Sequence, residues 1–175
     1  MLLRLGALPM DALQRGEPWR LFTYALLHSA WWHIAFNTLL FVVAGPAVER
    51  ALGSWLTLFL AILSAVLGGA AILLVHHGQG HTIELGASGA TFALLAAALV
   101  VTRRPWPAKP SPTFRRLRRF ALVGFAISFL PTISLAAHVA GAMVGAVLAW
   151  KLRGDSDPLN GLNRRDEDVA ARAIE

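Results

Sequence analysis

Apolar residues gather in four long stretches, at 30–48, 55–75, 86–101 and 120–150, separated by short polar connections. The first two approach the ~20 residues that a helix needs to cross a bilayer, and strand-like alternation is absent, so membrane helices are predicted. The fourth stretch is too long for one crossing. As a single helix its 31 residues would reach ~46 Å, against a hydrocarbon core of ~30 Å. Pro131, with Ser128, Thr132 and Ser134 around it, predicts a break and a hairpin. The first arm of that hairpin is short. It draws on Phe114 and Leu117, while Arg115, Arg116, Arg118 and Arg119 extend their charged heads toward phosphates. The pattern therefore predicts an all-α polytopic bundle of about five transmembrane helices over 30–152. An approach segment (1–29) precedes it and a solvated tail (153–175) follows.

Composition agrees with a membrane class. The 175 residues are 56% hydrophobic and only 15% charged, with a mean hydropathy of +0.57, more apolar than a soluble domain of this size. Cysteine is absent, which excludes disulfides, thiolate metal sites and a cysteine nucleophile. The net charge of +6 is concentrated: seven of sixteen Lys and Arg lie within 103–119, where no acid occurs. A basic loop between spans predicts a cytoplasmic connection and argues against nucleic acid as a partner. Counting back from that loop, 75–85 lies outside, 49–54 inside and 1–29 outside. Residues 2–10 are interrupted by Arg4 and no small-residue cleavage site follows, so they do not read as a signal peptide. The tail holds six acids and four arginines with few large apolar residues.

Polar residues inside the apolar stretches carry the candidate chemistry. His33 and Asn37 are four apart and share a helix face, where exposure to lipid would be costly. Ser88 lies in Gly86-Ala87-Ser88-Gly89 at the start of the third stretch, and His138 lies alone in the last. Each by itself reads as packing glue or a satisfied structural side chain. Together they point to one site, because the predicted topology brings all four to the outer ends of their helices. Ala137, Gly141 and Gly145 repeat every four residues beside His138. Such a small-residue face lets helices approach closely, within reach of general-base activation of Ser88. No Asp or Glu occurs within 85–150 or 18–48, so a serine-histidine dyad is expected rather than a triad. Glu84 is expected to be solvated in the outer loop. The Asn37 amide, the His33 imidazole and backbone N–H groups beside Ser88 are candidate oxyanion donors.

Trp19-Arg20, Thr23 and His28, then His33, Asn37, Gly45, Glu49 and Gly53, then Gly86 to Gly89, and finally Ala137-His138 with Gly141 and Gly145 follow the rhomboid pattern in order and spacing. The chain resembles the rhomboid intramembrane serine proteases over about 16–150. The resemblance implies Ser88 as nucleophile, His138 as general base, and His33 and Asn37 at the oxyanion hole, with Gly86 and Gly89 supporting it. It also implies a site open to the outside, a substrate helix entering laterally past 129–133, and no cofactor. Phe92, Phe129, Gly141 and Gly145 are then gate or packing positions. Two departures accompany it. Family cores have six helices, so the chain is expected to lack the first helix. Phe92 stands where many rhomboids carry tyrosine, keeping the ring but not the hydroxyl.

Other features suggest less. His76, His77 and His81 stand in a loop with Gly78, Gln79 and Gly80, and read as solvated rather than metal-binding. Trp31, Trp32, Trp55 and Trp150 read as interfacial anchors. An HExxH motif and paired intramembrane aspartates are absent, which removes the other membrane protease chemistries. A transporter would need ionisable residues along a path through the bundle. The expected activity is thus cleavage of transmembrane protein substrates, in a bacterial inner membrane with the site facing outward, with neither metal nor nucleic acid as partner. The rival is an inactive rhomboid-like protein that binds or escorts membrane clients.

Overall fold

A computed structural model describes residues 1–76, 83–103, 109–130 and 133–156. Short elements come first: α1 (Leu2–Leu5), β1 (Leu8–Pro9), α2 (Arg20–Thr23) and a 3₁₀ turn at Tyr24–Leu26. Five longer helices follow: α3 (Trp31–Leu52), α4 (Ser54–Val75), α5 (Ser88–Thr102), α6 (Pro112–Ile127) and α7 (Leu135–Ser156), with β2 (Ile83–Glu84) between α4 and α5. Three segments, Trp31–Leu52, Ser54–Val75 and Leu135–Arg153, are long and apolar enough to cross a membrane. Helix α4 exposes Phe59, Ile62, Leu67 and Leu74 and buries Leu60, Ser64 and Gly68. Apolar on all sides, it suits lipid outside and protein inside. The protein is an integral membrane helix bundle.

Helix α5 is the core of the bundle. It is only 15 residues long, yet nine of them are buried, because α3, α4, α6 and α7 surround it. Its contact with α7 is the closest. A Cβ on Gly141 would collide with the Gly89 carbonyl, and one on Gly145 with the Ala93 carbonyl, so the two backbones touch where the four-residue repeat predicted a contact face. Arg153 at the end of α7 donates to the carbonyls of Val100 (2.7 Å) and Arg103 (3.0 Å), satisfying the C-terminus of α5.

The structure refines the boundaries predicted from sequence. Helix α6 begins at Pro112, so it includes Phe114 and Leu117 as expected, because Ser111 caps it by accepting from the Phe114 N–H (3.1 Å) and Pro112 takes a first-turn position. Helix α7 runs to Ser156, past the predicted edge of the tail. The break of the long apolar stretch falls between Ile127 and Leu135; Pro131 and Thr132 lie outside the described residues, as do 157–175 and His77 and His81 of the histidine loop.

The larger departure is at the N-terminus, where the expected approach segment is part of the core. Ala7, Leu8, Met10 and Ala12 are buried with Tyr24, Ala61, Ala65 and Ile72. Arg20 fastens the segment by donating to the carbonyls of Leu3 (2.7 Å) and Ala7 (2.9 Å) while pairing with Glu17 (2.6 Å). Thr23 donates to the Gly6 carbonyl (2.8 Å). Strand β1 pairs antiparallel with β2, Leu8 opposite Glu84 and Pro9 opposite Ile83. The segment thereby holds the chain that leads into α5.

Candidate active site

Ser88 is the first residue of α5, and the turn before it is built around Gly86. Gly86 adopts φ +129°, and a Cβ there would lie 2.7 Å from the His33 ring. Backbone conformation and the neighbouring imidazole both therefore require glycine. The Gly86 N–H donates to the Tyr24 carbonyl (3.0 Å). Tyr24 is itself anchored by its hydroxyl donating to the Ala65 carbonyl (2.9 Å). Ser88 thus stands at a helix N-terminus, where backbone N–H groups lack intrahelical partners and favour negative charge. It lines a cavity of about 710 Å³ together with His138, His33, Asn37, Trp32 and Glu84.

His138 reaches this cavity from α7. Its ring stacks on Phe92 of α5, with centroids 3.9 Å apart and planes 12° from parallel, and Nδ1 lies 2.6 Å from the Ser128 hydroxyl. Phe92 occupies one face and Ser128 one edge, which confines the imidazole. Among the described residues no hydrogen bond joins Ser88 to His138. On α3, the buried Asn37 places Nδ2 3.0 Å from His28 Nε2 and Oδ1 3.3 Å from the Thr91 hydroxyl, which also lies 3.1 Å from the Ser88 carbonyl. An amide nitrogen can only donate, so His28 Nε2 accepts from Nδ2, and that bond uses one of the two amide N–H groups. His33 lies 3.4 Å from the Ser29 hydroxyl, stacks on Trp32 and meets His28 edge-on.

A glycine turn feeding a serine at a helix start, and an imidazole carried to the same cavity on a small-residue helix, match the sequence pattern noted above. The Rhomboid domain family matches residues 15–155. The chain belongs to the rhomboid family. It is 34% identical over 162 residues to the rhomboid protease GlpG of Enterobacter sp. (strain 638), covering 90% of this chain and 55% of that protein. It is also 29% identical over 151 residues to RHOMBOID-like protein 5 of Arabidopsis thaliana, covering 85% and 48%. This rhomboid chain spans about half the length of both relatives.

Of the residues singled out by sequence, Ser88, His138, His33, Asn37 and Gly86 meet at one cavity. Phe92 lies behind His138. Gly89, Gly141 and Gly145 form the helix contact beneath it. Phe129 is the exception, since it is exposed, packs edge-on against Phe125 and does not line the cavity. Glu84 is a correction: rather than a solvated loop acid it is half-buried at the cavity edge. Burial raises its pKa, and the nearby His76 partly opposes the shift. His28 has its pKa lowered, by burial and then by His33, which favours the neutral ring that accepts from Asn37. Burial likewise keeps the Tyr24 phenol protonated as a donor. Sequence reasoning gave Thr91 no role, and Ser128 none at the site. Among the described residues no group of three or more His, Asp or Glu stands ready to hold a metal.

Proposed function

We propose that this rhomboid is an intramembrane serine endopeptidase that cleaves transmembrane segments of membrane proteins through an acyl-enzyme on Ser88. The observation that carries the reading is that Ser88 and a confined His138 line one cavity at the N-terminus of α5. In this mechanism His138 Nε2 takes the Ser88 proton as Oγ attacks the scissile carbonyl. The Asn37 amide, His33 and the first backbone N–H groups of α5 donate to the oxyanion as it forms. Collapse breaks the peptide bond, and His138 returns its proton to the leaving amine. Water, activated by the same histidine, then releases the acyl group. The scissile carbonyl must first leave its own helical hydrogen bond. Small residues and helix breakers are therefore expected at the cleavage point.

The same reading gives a domain spanning 30–152, placed in a bacterial inner membrane with the cavity toward the extracytoplasmic side. The basic charge of 103–119, the signature of a cytoplasmic connection, supports that orientation. The test is cleavage of a model transmembrane substrate in liposomes by the full chain, alongside Ser88→Ala and His138→Ala. Cleavage by the wild-type chain and its loss in both variants is the expected result. A folded wild-type chain that binds the substrate without cutting it would favour a client-binding role instead.

A further inference from the structure

The dyad leaves one question open: with no carboxylate within 85–150, something else must decide which nitrogen of His138 carries its proton. A base facing Ser88 has to present an unprotonated nitrogen to the cavity, and a neutral imidazole has only one N–H to place. Ser128 supplies the constraint. Its Oγ lies 2.8 Å from the Gly124 carbonyl oxygen and 2.6 Å from His138 Nδ1. With the single hydroxyl proton donated to the Gly124 carbonyl, which can only accept, the oxygen is left to accept from Nδ1–H. Ser128 and His138 are 1% and 5% exposed, so this contact lies in the interior of the bundle.

We propose that Ser128 is a positioning residue that holds His138 in the Nδ1–H form, aiming an unprotonated Nε2 into the cavity. The relay runs from His138 Nδ1–H to Ser128 Oγ and from Ser128 Oγ–H to the Gly124 carbonyl, joining the base on α7 to the end of α6. When His138 takes the Ser88 proton at Nε2, Nδ1 keeps its own, and the bond to Ser128 becomes charge-assisted. Ser128 thereby does with a neutral hydroxyl the orienting work of a triad carboxylate. It supplies no counter-charge.

The proposal rests on His138 acting as general base, and its test separates the two. In the full chain in detergent, ¹⁵N-histidine NMR, with the His138 signals assigned by their loss in His138→Gln, should find Nδ1 protonated and Nε2 bare. The reverse tautomer overturns the proposal whether or not the protein cleaves anything. In the cleavage assay Ser128→Ala should lower kcat about ten- to a hundredfold with KM little changed, and Ser128→Thr, which keeps the hydroxyl, should recover most of it. A Ser128→Ala chain with unaltered kcat, in an assay where Ser88→Ala is inactive, overturns the positioning role while leaving the protease reading intact.

Discussion

Two helices flank α5 near His138, and they are joined to it in different ways. Against α7 the contact is backbone on backbone: Gly141 faces the Gly89 carbonyl and Gly145 the Ala93 carbonyl, with no room for a methyl group. Against α6 the contact runs through a side chain, since a Cβ on Gly124 would lie 2.9 Å from the tip of the Phe92 ring. A ring can tilt, whereas a helix backbone cannot yield locally. The rigid joint sets the separation of the helices that carry Ser88 and His138. The softer joint positions the helix end from which Ser128 orients the imidazole. Helix α6 also buries little, with Leu117 and Gly124 its only buried residues.

The contrast is broken most severely on the α7 side. Gly141→Val or Gly145→Val should destabilise the bundle by at least about 3 kcal/mol, the upper part of the overpacking range, and abolish cleavage. Thermal unfolding in detergent measures this. A substitution in the oxyanion region leaves the joints intact and should act chiefly on chemistry, with a smaller stability cost from the bonds it removes. Asn37→Ala is expected to lower kcat by roughly 10² to 10³, with the unfolding temperature much less affected.

On the α6 side the effects are smaller. Gly124→Ala should cost less than about 1.5 kcal/mol, because the Phe92 ring can move, and its mark should be a reduced kcat as the stack on His138 is disturbed. Equal losses of stability from Gly124→Ala and Gly141→Ala would abolish the distinction between the two joints. Removing the cap with Ser111→Ala should cost about 1 kcal/mol, read in the same unfolding assay.

The smallest expected effect concerns Glu84, away from both joints. Its carboxyl binds a proton more tightly folded than unfolded. This contribution to stability is full below the ordinary value of 4.5 and is lost as pH rises through the higher folded value. Glu84→Gln should flatten that part of the stability profile and raise stability at pH 7 by under about 1 kcal/mol.

The parts of this rhomboid that repeat or stand out against apolar surroundings were legible in its sequence. Three of the expected spans followed from length, the α5–α7 contact from the spacing of Ala137, Gly141 and Gly145, and the site from polar residues that lipid would reject. What escaped depends on contacts with no local period. Thr91 reaches Asn37 across 54 positions, and Ser128, beside the proline break, read as a helix-breaking neighbour rather than a partner of His138. The buried N-terminal segment is short and irregular, held by Arg20 and Thr23 donating to backbone carbonyls, which leaves no periodicity to detect. The arginines of α6 lowered its hydropathy and obscured a start that Ser111 and Pro112 set.

The central claim is that His138 activates Ser88 across the rigid α5–α7 joint. The most direct measurement is to treat the full chain in detergent with a fluorophosphonate, which reacts with activated serines, and locate the adduct by peptide mass spectrometry. The account predicts one adduct, on Ser88, lost in His138→Ala although Ser88 is still present. An unlabelled Ser88 in a folded wild-type chain, or labelling that survives His138→Ala undiminished, would contradict it.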